Sequence, residues 1–258
     1  MNDSSHKPVC IVTGSSSGIG AATALLFAQR GHDVVINYAS QADGAERVAQ
    51  QCREAGAQAL VVRADVGDDA QCRALAQQVR ERWGHADVLV NSAGISTKFA
   101  DIKDLEALDA EDFAQTYRVN VIGTFQMARA VAPLMQGRPS PGIVNISSMG
   151  GRMGTGSSIA YSASKGAVNT LTLSLARALA PAVRVNAILP GMVDSAWMRK
   201  LLGDAGFDER RKRMEGRALL RRIVAPEDVA RTAWWLATEA TMQTGQLIDL
   251  EAGFVLGP

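Results

Sequence analysis

Short apolar runs alternate with longer stretches of helical spacing along the chain of 258 residues. Most of the apolar runs are continuous Val, Ile and Leu segments without polar alternation, which is typical of strands buried on both faces of a parallel sheet. Seven strands are predicted, at Val9–Thr13, Asp33–Asn37, Ala59–Arg63, Asp87–Asn91, Gly142–Ser147, Val183–Ile188 and Gln246–Leu250. Six helices are predicted between them, at Ala21–Arg30, Ala42–Glu54, Asp69–Trp83, Ala110–Met135, Tyr161–Ala180 and Pro226–Thr238.

The alternation of strand and helix predicts a single doubly wound α/β domain, a Rossmann-type seven-stranded parallel sheet with helices on both faces. No linker rich in Gly, Ser or Pro and no internal repeat divides residues 1–258. Residues Asp194–Arg222 interrupt the alternation of strand and helix, because they insert extra helical sequence before the last helix and strand. Ligands of such folds bind beyond the carboxyl ends of the strands. The insertion is therefore predicted to form a lid over a ligand.

Composition and charge argue against several classes of protein. The formal net charge is +1, so neither nucleic acid nor an anionic membrane is an expected partner. The apolar runs fall short of the ~18 residues that a membrane span needs, and the N-terminus has no apolar signal-peptide core. The cysteines are widely spaced and the histidines are scattered, so no metal site is expected. A cytoplasmic location is the expectation.

The first strand runs into a glycine-rich turn, Thr13-Gly14-Ser15-Ser16-Ser17-Gly18-Ile19-Gly20. Glycines here let the backbone approach a diphosphate, and the N-terminus of the next helix offers unpaired N–H groups. The G-x-x-x-G-x-G spacing differs from the G-x-G-x-x-G fingerprint, and the sequence is not a P-loop because no Lys-Ser/Thr follows. An ordinary glycine turn is the alternative. The position in the first βα unit favours a dinucleotide-binding loop, with Gly14, Ser16, Ser17, Gly18, Ile19 and Gly20 as its residues.

The turn after the second strand, Asn37-Tyr38-Ala39-Ser40, bears on the choice of dinucleotide. An acid at this point would bind the ribose hydroxyls of NAD and repel the 2′-phosphate of NADP. The turn has no acid, and Asn37 and Ser40 can donate hydrogen bonds to a phosphate. Because neither this turn nor the glycine loop contains an arginine, the predicted preference for NADP over NAD is slight.

Tyr161 and Lys165 open a predicted helix four residues apart, which places them on one face about 6 Å apart. A nearby ammonium stabilises phenolate and should lower the tyrosine pKa from its usual ~10. Tyr161 could then serve as a general acid or base at an alcohol or carbonyl. Taken alone, the pair fits a surface tyrosine and a solvated lysine as well. Ser148 follows the preceding strand, at the edge of the sheet that carries the glycine loop, and can hydrogen-bond the same substrate oxygen.

Together these motifs resemble the short-chain dehydrogenases/reductases in their single-domain form, over nearly the whole chain. The matching segments are Thr13–Gly20, Asp65-Val66, Asn91-Ser92-Ala93-Gly94, Asn120, Ser148, Tyr161-x-x-x-Lys165 and Pro190-Gly191-Met192-Val193. Their order and spacing match those of the family, including the thirteen positions from Ser148 to Tyr161. Two departures are conservative: Ser92 replaces the second Asn of the usual Asn-Asn-Ala-Gly, and Ser195 stands where a threonine is frequent.

The resemblance implies a role for each matching position. Tyr161 would be the acid/base, Lys165 would lower its pKa and hold the nicotinamide ribose, and Ser148 would orient the substrate oxygen. Asn120 would position a water in a proton relay with Lys165. Asp65 would bond the adenine amino group. The remaining cofactor-binding positions would be Val66 against the adenine ring, Asn91, Ala93 and Gly94 in the floor, and Pro190, Gly191, Val193 and Ser195 around the nicotinamide.

The implied activity is that of an NAD(P)-dependent oxidoreductase that interconverts a carbonyl and a secondary alcohol, assembled as a homotetramer or homodimer. The substrate stays open among 3-oxoacyl thioesters, sugars, steroids and small ketones. A non-catalytic dinucleotide-binding regulator is the alternative from another class, but it would be expected to lack Tyr161 or Lys165. An epimerase or dehydratase of the extended branch would need a longer chain.

Three segments are candidates for substrate selection: Ser96–Phe99, Gly151–Ser158 and Met192–Leu202. Within them Phe99, Met153, Met192 and Trp197 could form an apolar wall, or could simply be core residues. Residues 199–222 carry nine arginines and lysines against four acids, which could attract an anionic substrate such as an acyl chain on an acidic carrier protein. A solvated helix face is the alternative, and a salt-dependent KM would separate the two readings.

Overall fold

Seven parallel strands form one sheet in the computed structural model, which describes residues 7–257. The strands are β1 Val9–Val12, β2 Asp33–Tyr38, β3 Ala59–Arg63, β4 Val88–Asn91, β5 Gly142–Ile146, β6 Arg184–Pro190 and β7 Leu247–Leu250. Their order is β3-β2-β1-β4-β5-β6-β7, and every neighbouring pair is parallel. The predicted doubly wound sheet is confirmed. Strand β6 runs beyond its predicted end because Pro190 still pairs with Leu250 of β7.

Helices connect the strands throughout the described residues. They are α1 Gly18–Gln29, α2 Ala42–Glu54, α3 Asp69–Trp83, α4 Ala110–Tyr117, α5 Thr124–Met135, α6 Gly150–Met153, α7 Ile159–Leu179, α8 Ala196–Arg217 and α9 Pro226–Trp234. Short 3-10 helices occur at Leu105–Ala107 and Phe254–Leu256, and π-helical turns at Arg118–Gly123 and Trp235–Glu239. The helix predicted at Ala110–Met135 is confirmed, with a π-helical turn inside it between α4 and α5. Such wide turns are frequent at functional sites.

Several helices start where the sequence supplies caps. The Asp68 side chain accepts hydrogen bonds from two N–H groups in the first turn of α3. At the start of α7 the Ser158 Oγ accepts from the backbone N–H of Tyr161 at 3.1 Å. Helix α9 begins with Pro226, whose missing N–H is not needed in a first turn. The cap on α7 fixes Tyr161 in the first turn of its helix, close to the end of β5.

Both faces of the sheet are covered, which explains the continuous apolar runs. In β1, Val9 and Ile11 belong to the core beneath α3, α5 and α7. Cys10 and Val12 point to the opposite core, beneath α1, α2 and α9. Since successive side chains enter different cores, none of them is a solvent position and no polar alternation arises. None of the described helices combines the length and apolarity that crossing a bilayer requires.

The predicted insertion Asp194–Arg222 folds mainly as α8. Its backbone kinks at Gly203, where φ is 69° and ψ is 161°. Side chains from both halves of the kinked helix, including Trp197 and Arg210, line the same cavity as the glycine loop. Helix α8 therefore forms one wall of that cavity, at the carboxyl edge of the sheet where the sequence predicts a lid.

Candidate active site

A cavity of about 580 Å³ lies at the carboxyl edge of the sheet. It is flanked by the ends of β1 and β4, where the strand order reverses and where doubly wound sheets bind ligands. Most of the predicted site residues line it: Gly14, Ser16, Ser17, Gly18, Ile19, Gly20, Asn37, Tyr38, Ser40, Asp65, Val66, Ala93, Gly94, Ser148, Tyr161, Lys165, Pro190, Gly191, Val193 and Ser195. Residues that are scattered along the sequence thus share one cavity.

Two predicted site residues, Asn91 and Asn120, lie behind the wall of this cavity. The Asn91 amide is buried in the sheet and donates to Asn145 Oδ1 at 2.9 Å. Asn91, predicted to lie in the cofactor floor, does not line the cavity, whereas Ala93 and Gly94 do.

The buried amide of Asn120 in the π-helical turn bridges two chain segments. Its Oδ1 accepts from the Ile95 N–H at 2.8 Å, and its Nδ2 donates to the Ile95 carbonyl at 2.9 Å. The same Nδ2 donates to Ser164 Oγ at 3.0 Å, and Ser164 in turn donates to the Tyr161 carbonyl at 2.7 Å. The Asn120 side chain therefore braces the backbone around the site, and its role in a water relay with Lys165 stays a prediction.

The conformation of the glycine loop allows an anion to approach the backbone of the loop closely. Gly14 has φ +63°, and a Cβ there would lie 2.7 Å from Ala93 Cα. A Cβ at Gly20 would lie 2.5 Å from the Gly14 carbonyl oxygen. Helix α1 follows with no acidic residue in its first turn and no side-chain hydrogen bond from Ser17, its N-cap. The N–H groups of that turn and the helix dipole are therefore left for a ligand, and a dinucleotide diphosphate fits them.

Asn37 has a different role from the one predicted. Its Oδ1 accepts from the Gly14 N–H at 3.1 Å, while its Nδ2 donates to the carbonyls of Val62 and Ala64 at 3.3 and 3.0 Å. Both amide hydrogens are used, so the prediction that this side chain donates to a 2′-phosphate is wrong. Asn37 instead ties the glycine loop to β3. Ser40 is exposed at the mouth of the cavity and keeps its hydroxyl for a ligand.

Asp65 and Arg118 form an ion pair at the far end of the cavity from Tyr161. Arg118 donates to Asp65 Oδ2 at 2.8 Å, and the Gly67 N–H donates to Oδ1 at 2.9 Å. Arg118 was not among the predicted site residues. No local pattern identifies it, because 53 positions separate it from Asp65 and only the π-helical turn brings it to the cavity.

Tyr161 projects into the cavity opposite Ser148. Its aromatic ring lies 6.3 Å from the Trp197 ring, centroid to centroid. Ser148 is held by the N–H of Gly150, which donates to its Oγ at 3.0 Å. Burial raises the pKa of Tyr161 from 10.0, and a hydrogen bond with Ser148 lowers it in part. Both hydroxyls therefore face one point where a substrate oxygen can bind, and Tyr161 is protonated at neutral pH.

Lys165 is buried beside Tyr161, one turn further along α7. Its Nζ donates to the Ile146 carbonyl at 2.8 Å and lies 5.6 Å from the centroid of the Tyr161 ring. Burial lowers the Lys165 pKa to about 8. The predicted net lowering of the Tyr161 pKa is wrong for this structure, because burial of the phenol outweighs the stabilisation of its phenolate by Lys165. The ammonium lies by the ring and bonds a carbonyl, so burial of the phenol dominates.

The part of the cavity next to Tyr161 is largely apolar. Phe99, Met153, Met192 and Trp197, which the sequence marks as a candidate apolar wall, all line it. Arg210 joins them from the second half of α8, with its guanidinium 5.1 Å from the centroid of the Phe99 ring. This arrangement favours a substrate with a hydrocarbon body beside the reacting oxygen.

Arg199, Arg211 and Arg222 of the predicted lid form ion pairs. Arg199 lies 3.2 Å from Asp194, and Arg211 lies 2.9 Å from Glu215. Arg222 pairs with Asp228 at 3.2 Å. These pairs do not remove the excess of basic over acidic residues in the segment, so attraction of an acidic carrier protein stays a prediction.

Comparison with known proteins identifies the family. A family model described as enoyl-(acyl carrier protein) reductase matches residues 14–255. A protein assigned as ketoacyl reductase 2 of the granaticin polyketide synthase from Streptomyces violaceoruber is 38% identical over 97% of this chain and 97% of its own. The cis-4-hydroxycyclohexanecarboxylate dehydrogenase of Sinomonas cyclohexanicum is 36% identical over 98% and 99% of the two chains.

Among solved structures, a Burkholderia xenovorans protein assigned to the short-chain dehydrogenases/reductases is 48% identical, with a TM-score of 0.90 over 98% of this chain and 100% of its own. The chain therefore belongs to the short-chain dehydrogenase/reductase family. It is an NAD(P)-dependent oxidoreductase that interconverts a carbonyl and a secondary alcohol.

Proposed function

We propose that Tyr161 is the general acid/base of this enzyme, with Ser148 and Lys165 as its partners and NADP(H) as its preferred cofactor. The observation that carries the proposal is that Tyr161, Ser148 and Lys165 line the same cavity as the glycine loop. Neither the pair Tyr161/Lys165 nor the glycine loop would be decisive alone. Their meeting in one cavity of about 580 Å³ is what a dinucleotide-dependent enzyme needs.

The side chains divide the work on the substrate oxygen. Ser148 and Tyr161 bind that oxygen from two sides, which orients the carbon that reacts. In the reductive direction Tyr161 donates its proton to the oxygen, and in the oxidative direction the phenolate takes one from the alcohol. The Lys165 ammonium stabilises that phenolate and can bond a ribose hydroxyl of the cofactor. The nicotinamide, when bound, supplies or accepts the hydride.

The preference for NADP(H) is supported by the charges around the turn after β2. The turn contains no acid, and Ser40 is exposed there. Strand register places Arg63 beside Tyr38, at the end of β3, and its side chain is exposed. Arg63 lies on β3, outside the glycine loop and the turn after β2, and was not among the predicted cofactor-binding residues. A cation on the neighbouring strand favours a 2′-phosphate.

Replacing Ser40 with Asp should therefore reverse the preference. We expect the KM for NADPH to rise by about tenfold or more, since a carboxylate would repel the 2′-phosphate, while the KM for NADH stays unchanged or falls. Ser40→Ala is the matched control and should change either KM by no more than about fivefold. Steady-state kinetics with both cofactors measures this. An equal rise for NADPH and NADH would show that Ser40 does not face the 2′-phosphate.

The substrate is proposed to be a ketone or secondary alcohol with an apolar body. The relatives support this range, since one is assigned as a ketoacyl reductase and another is a dehydrogenase of a cyclic hydroxycarboxylate. A panel of 3-oxoacyl thioesters, linear and cyclic ketones and sugars, assayed with NADPH and with NADH, tests the proposal. We expect consumption of NADPH with at least one ketone and formation of the secondary alcohol. Binding of NADPH without turnover of any class would favour the regulatory alternative.

The assembly and compartment belong to the same proposal. Exposed apolar side chains on and near α4 and α5, including Phe113, Ile122 and Phe125, support a homodimer or homotetramer. The three cysteines Cys10, Cys52 and Cys72 are free and buried, which is in keeping with a reducing, cytoplasmic compartment.

A further inference from the structure

One charge in the cavity has no part in the proposed chemistry. Asp65 and Arg118 pair with each other at one end. Lys165 lies beside Tyr161, and the carboxylate of Glu251 accepts hydrogen bonds from backbone N–H groups of the C-terminal turn. Arg210 is the remaining charged residue of the wall. Within residues 7–257 the structure gives it no carboxylate partner.

Several acids on and beside α8 are engaged by other arginines. Asp194 is paired with Arg199 at 3.2 Å. Glu215, one turn further along the helix, is paired with Arg211 at 2.9 Å. Arg210 lies between these pairs in sequence but faces the cavity, so it is available to a ligand rather than to its own helix.

The aromatic ring of Phe99 holds the Arg210 guanidinium in place. The guanidinium carbon lies 5.1 Å from the ring centroid, a distance at which a cation is attracted to the ring face. Arg210 is half-buried, and burial together with the nearby charge of Arg213 lowers its pKa. A planar donor group, positioned by an aromatic ring and partly desolvated, binds a carboxylate strongly when one is presented to it.

We propose that Arg210 is the binding residue for a carboxylate on the substrate, so that the enzyme acts on keto acids and the matching hydroxy acids. The inference rests on the proposed role of Tyr161, because one molecule must reach both residues. The apolar side chains of Trp197 and Met153 line the cavity with them and suit the hydrocarbon body of such a molecule. A single guanidinium in the wall of the cavity matches one carboxylate of a small substrate.

A length series of keto acids tests this inference. The probes are 4-oxopentanoate, 5-oxohexanoate and 6-oxoheptanoate, each beside its methyl ester, which keeps the ketone and removes the charge. We expect the parent enzyme to prefer one acid over its ester by about tenfold or more in kcat/KM, because a charge-assisted pair forms only with the acid. The preferred length reports the span between Tyr161 and Arg210.

Three variants assign the effect to Arg210. Arg210→Met should lower kcat/KM for the preferred acid by about 10- to 100-fold, mainly through KM, and should leave the ester within about twofold. Arg210→Lys should retain part of the preference, since it keeps the charge but loses the planar fork. Arg213→Met is the matched control, because it removes an equal charge from an exposed position one turn along α8.

The outcomes separate this inference from the proposed function. A parent enzyme that reduces esters at least as well as acids would overturn the role of Arg210 and leave Tyr161 as acid/base intact. An Arg210→Met variant whose kcat/KM falls equally for acids and esters would also overturn the role of Arg210, since it would point to a structural role for this residue. If the parent enzyme turned over none of the acids and none of the esters, the result would count against both the role of Arg210 and the proposed function of Tyr161.

Discussion

Replacing Tyr161 with Phe should lower kcat/KM for ketone reduction by about 10²- to 10⁴-fold while leaving NADPH affinity within about twofold. The substitution removes only the hydroxyl that gives the proton to the substrate oxygen. The phenyl ring can keep its place beside Trp197, 6.3 Å away between centroids, and the N-cap from Ser158 acts on the backbone. Steady-state kinetics gives the loss, and titration of NADPH fluorescence gives the affinity.

Tyr117→Phe is the matched control for that variant. Tyr117 ends α4 and does not line the cavity, so its loss of a hydroxyl should leave kcat/KM unchanged. The assignment of Tyr161 would be refuted by a Tyr161→Phe enzyme that keeps more than about a tenth of the parent activity.

Replacing Lys165 with Met should produce a loss of similar size, about 10²- to 10⁴-fold in kcat/KM, and should also weaken NADPH binding. The two effects are expected together because the ammonium stabilises the phenolate and can bond the cofactor ribose. Lys103→Met, at an exposed surface position, is the control and should change neither quantity. If the Lys165→Met enzyme lost turnover but bound NADPH normally, the result would contradict a role of Lys165 in cofactor binding and would support its role in catalysis.

The same variant should show how burial of Lys165 affects stability. Burial lowers its pKa from 10.5 to about 8, so between these pH values the unfolded chain binds the proton and the folded chain does not. Stability of the parent should therefore rise with pH across this window, by on the order of 3 kcal/mol relative to Lys165→Met. Denaturant unfolding of both proteins at about pH 7 and about pH 10 measures the difference. If the difference in the free energy of unfolding between the parent and Lys165→Met were the same at both pH values, the lowered pKa of Lys165 would be contradicted.

The fold is predictable from the sequence because its cause is local. Strands covered on both faces must be continuously apolar, as in Ile143-Val144, and helix starts such as Asp68 and Pro226 carry their own caps. The irregular turn at Arg118–Gly123 is not predictable in this way. It arises from tertiary bonds that the Asn120 amide makes to Ile95 and Ser164, and helical spacing in the sequence does not reveal them.

The residues of the candidate site also fall into those that local sequence reveals and those that depend on tertiary structure. Positions defined by a backbone requirement, such as Gly14, or by spacing on one helix, such as Tyr161 and Lys165, are found from the sequence. The hydrogen bonds of the Asn37 side chain depend on the position of β3, and the pKa of Tyr161 depends on its burial. Neither is visible in the local sequence. Arg210 is visible in the sequence only as one of many charges, and its place against Phe99 requires the fold of the lid.

The pH dependence of kcat/KM in both directions, between about pH 6 and pH 7, tests the central claim about Tyr161 most directly. In this window Tyr161 is protonated, since burial raises its pKa, and Lys165 keeps most of its charge, with a pKa of about 8. Ketone reduction needs the phenol and should be nearly independent of pH. Alcohol oxidation needs the phenolate, whose fraction grows about tenfold per pH unit, and should rise accordingly. Oxidation that does not change with pH, or reduction that falls as steeply as oxidation should rise, would contradict the assignment of Tyr161 as the acid/base.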